Sequence, residues 1–283
     1  MSLRHKLANF SVKPKLIALF LLVGVVPLIT AGYVAYRTAA GALQDAALAA
    51  EQAVSSEVTA KLTSIRDEKK SAVEAYFQTI HDQILPFSEH RMVIDAMRDF
   101  PPAFDEYRQA RGVAPDDIDG LRAELKTYYT DEFGVEYEGQ NGKPIDSVKF
   151  LEQLDDDSVA LQHAYIRANK NPLGSKEELD TNYNRLHGKV HPAIRSYLRK
   201  FGYYDIFLCD PETGDIVYSV FKELDYTTSL IDGPYADTNF GEAFRLANAA
   251  TEKDAVFLVD YKPYTPSYEA PASFIASPIF DGD

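Results

Sequence analysis

The sequence predicts an α+β protein: an N-terminal transmembrane helix, a long stalk helix, a helical region, and then an incomplete antiparallel sheet. Three observations predict it. An uncharged apolar run lies near the N-terminus, a stretch without Pro or Gly follows it with helical spacing, and the period changes to that of strands after residue 202.

The apolar run is Leu16–Tyr36, LIALFLLVGVVPLITAGYVAY, with no charged residue. At ~1.5 Å per residue it just crosses a hydrocarbon layer of roughly 30 Å. Arg4, Lys6, Lys13 and Lys15 precede it without an acidic residue, whereas the first charges after Arg37 are Asp45, Glu51 and Glu57. The excess of basic residues before the span places residues 1–15 in the cytoplasm and residues 37–283 outside. The rival reading is a cleaved secretory signal, whose apolar region is normally shorter, at ~7–15 residues.

The stalk helix is expected over 37–100. Val54, Val58, Leu62, Ile65, Ala72, Tyr76, Ile80 and Ile84 step by three, four or seven residues and form one stripe. Lys69 falls on the seam, so strict heptads are absent. The stripe is expected to pack on the chain itself along most of its length and on a second copy along part, giving a homodimer. Pro86 should kink or interrupt this helix, and Pro101-Pro102 should stop it.

Residues 101–202 read as further helices. Asp119–Glu132 and Ser158–Asn169 have helical composition, Glu136–Pro144 reads as a loop, and Glu177–Tyr183 as a helix restart. His191–Lys200 reads as a helix with Pro192 in its first turn and Gly202 as its stop. In 203–283, Tyr204–Cys209 and Asp215–Phe221 form a hairpin around Asp210-Pro211-Glu212-Thr213-Gly214. Ala255–Tyr261 and Ser273–Phe280 form two more strands joined by a Pro- and Tyr-rich link.

Composition narrows the function. A formal net charge of -14 disfavours nucleic acid, which needs clustered Lys and Arg. The single cysteine, Cys209, precludes an internal disulfide and reads as a small buried hydrophobe. None of the common nucleotide-binding, zinc-protease, redox or serine-hydrolase motifs occurs, so no enzyme and no cofactor are expected. His187 and His191 have i,i+4 spacing, but no acidic residue or Cys flanks them at ligand spacing, so hydrogen-bonded histidines are the preferred reading over a metal site.

The constellation with binding chemistry is Tyr218, Ser219, Lys222, Asp225, Thr227 and Tyr235, followed by Asp260, Tyr264, Ser267 and Tyr268. Aromatic rings supply walls, Lys222 can pair with a carboxylate, and Asp225 or Asp260 with an amine. Taken singly, each residue also fits an ordinary core or a solvated surface. Along the second strand Ile216, Tyr218 and Val220 alternate with Val217, Ser219 and Phe221, and only one set is expected to face a ligand.

Two stretches resemble known families. SVKPKLIALFLLVGVVPLITAGYVAYRTAAGAL (Ser11–Leu43) is similar to the first membrane segment of methyl-accepting chemotaxis proteins. FGYYDIFLCDPETGDIVYSVFKELDYTTSLIDGPYADTNFGEAF (Phe201–Phe244), with DYKPYTPSYEAPASFIASPIFDG (Asp260–Gly282), resembles the membrane-distal part of a double Cache sensor, an extracytoplasmic relative of PAS domains. The resemblance implies a bacterial inner-membrane chemoreceptor with a PAS-like sheet, a pocket for a small-molecule ligand on one face and a long helix behind the other. It also implies a fifth strand, a second membrane helix and a signalling domain, so the chain reads as an N-terminal fragment. The same input domain serves nucleotide cyclases, histidine kinases and phosphatases. An anchored enzyme with an unfamiliar site, or a structural adaptor, is the alternative of another class.

Overall fold

The computed structural model describes residues 11–169, 171, 173–174 and 180–282. Arg4, Lys6 and the first residues of Glu177–Tyr183 lie outside them. The chain divides into two units, Met1–Tyr76 and Phe77–Asp283.

The first unit is helical throughout its described part. Helix α1 (Val12–Phe20) passes through a π-helical turn, Leu21–Val25, into α2 (Val26–Ser88). The π turn lies just before Pro27, which has no N–H to donate to the Val23 carbonyl four residues back. This helix is long and apolar enough to cross a membrane. Further along α2, Val54, Val58, Leu62, Ile65 and Tyr76 are all exposed. The expected packing of this stripe on the chain itself is therefore corrected over 54–76, whereas Ile80 and Ile84 further on are half-buried.

In the second unit, the expected stalk over 37–100 is two helices. Pro86 lies inside the last turn of α2, and the helix ends at Ser88. The next helix, α3 (Arg91–Asp105), starts where His90 Nδ1 accepts the Met92 N–H at 3.1 Å. Pro101-Pro102 does not stop it. Val93, Ala96 and Phe100 before the prolines, and Ala103 and Phe104 after them, are buried on one face, and that burial outweighs the missing backbone bonds.

Tertiary packing overrides two further expectations. Val135–Asn141 is a helix, not a loop, anchored by buried Tyr137 and closed by Gly142 at φ 67°. Asn182–Phe201 is one helix with Pro192 in its interior, and its buried face is Tyr183, His187, Val190, His191, Ile194 and Leu198. It starts where the Thr181 hydroxyl accepts the Asn184 N–H at 3.0 Å, and it ends at Gly202 as expected.

The single sheet expected from the strand pattern is two separate antiparallel hairpins. Strands β1 (Phe207–Cys209) and β2 (Ile216–Ser219) form the first, and β3 (Phe257–Tyr264) and β4 (Ala270–Ala276) the second. Between them lies a helix absent from the sequence reading, Asn239–Asn248, which packs on β3 and β4. Its signal was present: Thr238 caps it, and Phe240, Ala243, Phe244 and Ala247 carry helical spacing.

Strand β2 is buried at every residue, because it runs between two hydrophobic clusters. Val217 and Tyr218 belong to one cluster with Phe100, Tyr165 and Tyr183. Ile216 belongs to the other with Tyr129, Tyr235 and Tyr264. Both faces of the strand are core, so alternation along it does not select one ligand-facing set.

Two glycines on helices separate packing from propensity. A Cβ on Gly241 would overlap the Ala236 carbonyl, whereas one on exposed Gly139 meets nothing within 4 Å. Gly241→Ala should therefore prevent native folding, and Gly139→Ala should raise stability by about 0.5–1 kcal/mol, both read by denaturant unfolding of the detergent-solubilised chain.

Candidate functional site

The segment Ser219–Thr228, which starts at the last residue of β2, is almost entirely buried although it carries Lys222, Glu223, Asp225, Thr227 and Thr228. Two of its residues hold left-handed backbone, Lys222 at φ 59° and Thr227 at φ 72°. Such conformations cost energy for side-chain-bearing residues and persist only where surroundings enforce them.

Asp205 enforces the first. Its carboxylate accepts the Ser219 hydroxyl at 2.7 Å and the backbone N–H groups of Ile206, Val220 and Phe221 at 2.6, 2.9 and 3.1 Å. Ser219 Oγ in turn accepts the Lys222 N–H at 2.8 Å. Gln162, fully buried on helix Asp156–Gln162, enforces the rest. Its Nε2 donates to the carbonyls of Leu224 and Tyr226 at 3.2 and 2.6 Å, and its Oε1 accepts the Tyr129 hydroxyl at 2.7 Å. Ser158 donates to the Thr227 carbonyl at 2.9 Å, and Tyr183 to that of Val217 at 2.6 Å.

The charged side chains divide between the two sides of this segment. On one side Lys222, 2% exposed, donates from Nζ to its own Val220 carbonyl at 3.1 Å. Its ammonium lies 5.8 and 5.7 Å from the ring centroids of Tyr165 and Tyr218. Burial pushes the Lys222 pKa down and the Asp205 pKa up, and each charge opposes the other's shift. Tyr218 Oη lies 2.8 Å from His191 Nδ1, and His191 Nε2 lies 3.0 Å from the Leu173 carbonyl. A carbonyl only accepts, so Nε2 carries the proton and Nδ1 accepts from Tyr218. Burial, reinforced by the Lys222 charge, lowers the His191 pKa to about 4, so the ring stays neutral. The His187 and His191 rings stack at 4.4 Å on one continuous helix, and among the described residues no metal-binding group of three or more His, Cys, Asp or Glu occurs.

On the other side Asp225 is completely buried. Its Oδ2 accepts the Tyr264 hydroxyl at 2.7 Å, and its Oδ1 has no partner among the described residues. The Tyr235 hydroxyl has none either, and its ring centroid lies 5.9 Å from that of Tyr264. Glu223, half-buried, accepts the hydroxyls of Tyr204 at 2.6 Å and Ser267 at 3.1 Å. Burial, then the Asp225 charge, pushes the Glu223 pKa up to about 8. Burial also raises Asp225, to about 7, with Asp205 adding repulsion against the opposing Tyr264 hydrogen bond.

The structure thus brings Tyr218, Ser219 and Lys222 together on one side, and Asp225, Tyr235, Tyr264 and Ser267 on the other. Thr227 serves as a backbone link. Tyr268 stacks on Phe133 at 5.0 Å and its carbonyl accepts from Asn141 Nδ2 at 3.1 Å, while Asp260 stands apart, exposed on β3. The reading of Lys222 and Asp225 as solvated neighbours is excluded by their burial. Asp205, Glu223 and Gln162 were missed. Acidic residues flanking the β1 and β2 strands were the only signal for the first two, and Gln162 had none. Cys209 is half-buried and packs against the second cluster, its thiol pKa pushed up by burial.

No family model, no curated protein and no solved structure matches this chain.

The raised carboxyls fix a sign for stability against pH. Between about pH 4, where unfolded carboxyls titrate, and about pH 8, folded Glu223 and Asp225 hold protons that the unfolded chain releases. Their contribution is complete below that window and is lost as pH rises through it, by up to ~1.4 kcal/mol per pH unit for each group. Depressed His191 opposes this between about pH 4 and 6.5, and depressed Lys222 above about pH 7, while raised Asp205 adds to the fall. Unfolding at pH 5, 6 and 7 should show falling stability, and Asp225→Asn should flatten the slope.

Proposed function

We propose that this chain is the ligand-sensing, signal-transducing portion of a bacterial membrane receptor of the methyl-accepting chemotaxis type. In this reading the N-terminus is cytoplasmic, 16–36 cross the inner membrane once, and 37–283 stand outside it as a homodimer. The C-terminal hairpins carry a Cache-like site for a small polar ligand.

The observation that carries the proposal is the course of helix α2. It begins within the uncharged span, and its last turns are bonded into the folded second unit. There the Gln83 carbonyl accepts the Tyr197 hydroxyl, its side-chain oxygen accepts that of Tyr203, each at 2.7 Å, and Phe87 packs on the core cluster that holds Tyr218. The end of this helix and β2 therefore share one packed hydrophobic cluster. Buried charges beside strained backbone support a binding role, since both are costly and cluster at functional sites.

Transmission follows from differential affinity: a ligand that favours one packing of β2 against α2 biases the position of that helix. Spin labels at Ala50 of the two protomers, in the receptor reconstituted in bilayers, should report a shifted distance distribution when ligand saturates. An unchanged distribution would end the transmission argument. A ligand at about a hundred times its dissociation constant should also stabilise the protein by ~2.7 kcal/mol.

A further inference from the structure

The outer face of helix Asn182–Phe201 carries a charge pattern that the sensing role does not use. This helix holds Arg185, Lys189, Arg195, Arg199 and Lys200 and no acidic residue, in a chain of net charge -14 whose 43 Asp and Glu all lie elsewhere. Arg195 is half-buried and donates to the Leu173 carbonyl at 2.6 Å. The other four cations are exposed. At ~100° per residue they fall within one arc of similar width, on a single side of the helix. Lys189, Arg199 and Lys200 form no ion pair among the described residues. Their field reaches inward, where Arg195 and Arg199 add to Lys222 in opposing protonation of His191. Arg185 with Lys189, and Arg195 with Arg199, are like-charge pairs four residues apart, each mildly destabilising to a helix. Nothing within the described chain offsets that cost.

The arrangement along the helix selects the kind of partner. The exposed cations stand in two pairs, Arg185 with Lys189 and Arg199 with Lys200, and about 15 Å of helix separates them at ~1.5 Å per residue. Between the pairs lie Pro192, Ala193 and Ser196, all exposed and all short. Pro and Ala lose no side-chain entropy when covered, so another chain can approach the middle of this face closely at little cost. Beside the second pair Phe201 is 41% exposed, its ring 4.6 Å from that of Tyr197. Aromatic residues and Arg are the common anchors of protein interfaces. A polyanion or an anionic bilayer gains most from evenly spread cations, and it meets repulsion from the acidic remainder of the domain. A helix with acidic groups about three turns apart meets both pairs and lies flat on the short residues between them.

We propose that the exposed face of helix Asn182–Phe201 is a docking surface for a protein partner that presents an acidic helix, with Arg185–Lys189 and Arg199–Lys200 as its two points of contact. The same helix donates the Tyr197 hydroxyl to the Gln83 carbonyl near the end of α2, so a docked partner bears on the helix that leads to the span. The docking surface goes beyond the sensing role and does not depend on it.

The test places the photocrosslinking residue p-benzoylphenylalanine in the full chain, in the cells that make it, at Ser196 on this face and at exposed Gly139 as a control. Ser196 should crosslink to one protein, identified by mass spectrometry, and Gly139 should not. That protein, purified, should bind the full chain in lipid nanodiscs. Binding should weaken about tenfold or more in the double variant Lys189→Glu, Lys200→Glu, and also on raising salt from about 50 to 300 mM. Changing a contacting acid of the partner to Lys should restore binding to the double variant. The neutral pair Lys189→Gln, Lys200→Gln replaces the reversal if the latter lacks a cooperative melt. A purified partner indifferent to these substitutions and to salt would overturn the proposal. Crosslinks from Ser196 to lipid or polysaccharide would make the face a polyanion site and overturn it too. Crosslinks only to a second copy would make it an interface between copies, and the absence of any crosslink would leave the face without a partner, each against the proposal.

Discussion

Everything in the folded unit depends on one constraint: a charged backbone segment, Ser219–Thr228, is threaded between two hydrophobic clusters. Backbone polar groups in such a place must find partners inside the protein, since an unpaired one costs about as much as a lost hydrogen bond. Gln162 and Ser158 from one helix and Tyr183 from another reach in to supply them, and Asp205 gathers three N–H groups and a hydroxyl at the strand's end. These bonds fix where the helices stand around β2, so the polar network specifies an arrangement that hydrophobic burial alone would leave loose. It also explains how two side-chain-bearing residues are held in left-handed backbone.

The same packing governs the helices. Pro86, Pro101, Pro102 and Pro192 all lie within helices, against the ordinary expectation for that residue. Where a helical face is occupied by large buried side chains, breaking the helix would expose them, and that loss exceeds the cost of a missing backbone bond. Aromatic groups do much of this work. Tyr107, Tyr165, Tyr183 and Phe100 meet at centroid separations between 5.2 and 6.4 Å, in tilted or edge-on contacts that suit their quadrupoles. The Tyr165 hydroxyl donates to Asn184 Oδ1 and that of Tyr183 to the Val217 carbonyl, so the core is polar at defined points.

Legibility in the sequence follows the range of the forces involved. The apolar run, the first hairpin with its Asp-Pro-Glu-Thr-Gly turn, and the Gly202 stop were readable because each is set by neighbouring residues. The Val135–Asn141 helix was misread since Gly139 and Gly142 signal a loop locally, while the burial of Tyr137 that decides the matter is supplied by distant residues. Helix Asn239–Asn248 was readable but unread. Within the candidate site, Lys222, Asp225, Tyr235 and Tyr264 were singled out by residue type alone, and their burial confirms their proximity to the core. Asp260 fits the same pattern by type yet stands exposed on β3, because type carries no information on which strand face turns inward.

By itself the sequence determined an uncharged N-terminal helix long enough to span a bilayer, a helical middle, strands after residue 202 and the residue types of a polar site. These rest on hydrophobicity, periodicity and turn chemistry, all of which act over a few residues. Only the tertiary structure decided that the strands form two hairpins rather than one sheet, and that Pro101, Pro102 and Pro192 are carried within helices. It also divided the charges, leaving Lys222 beside Asp205, and Asp225 without a counter-ion among the described residues. Those outcomes depend on which groups lose their water together, and that is settled by contacts between residues far apart in the chain.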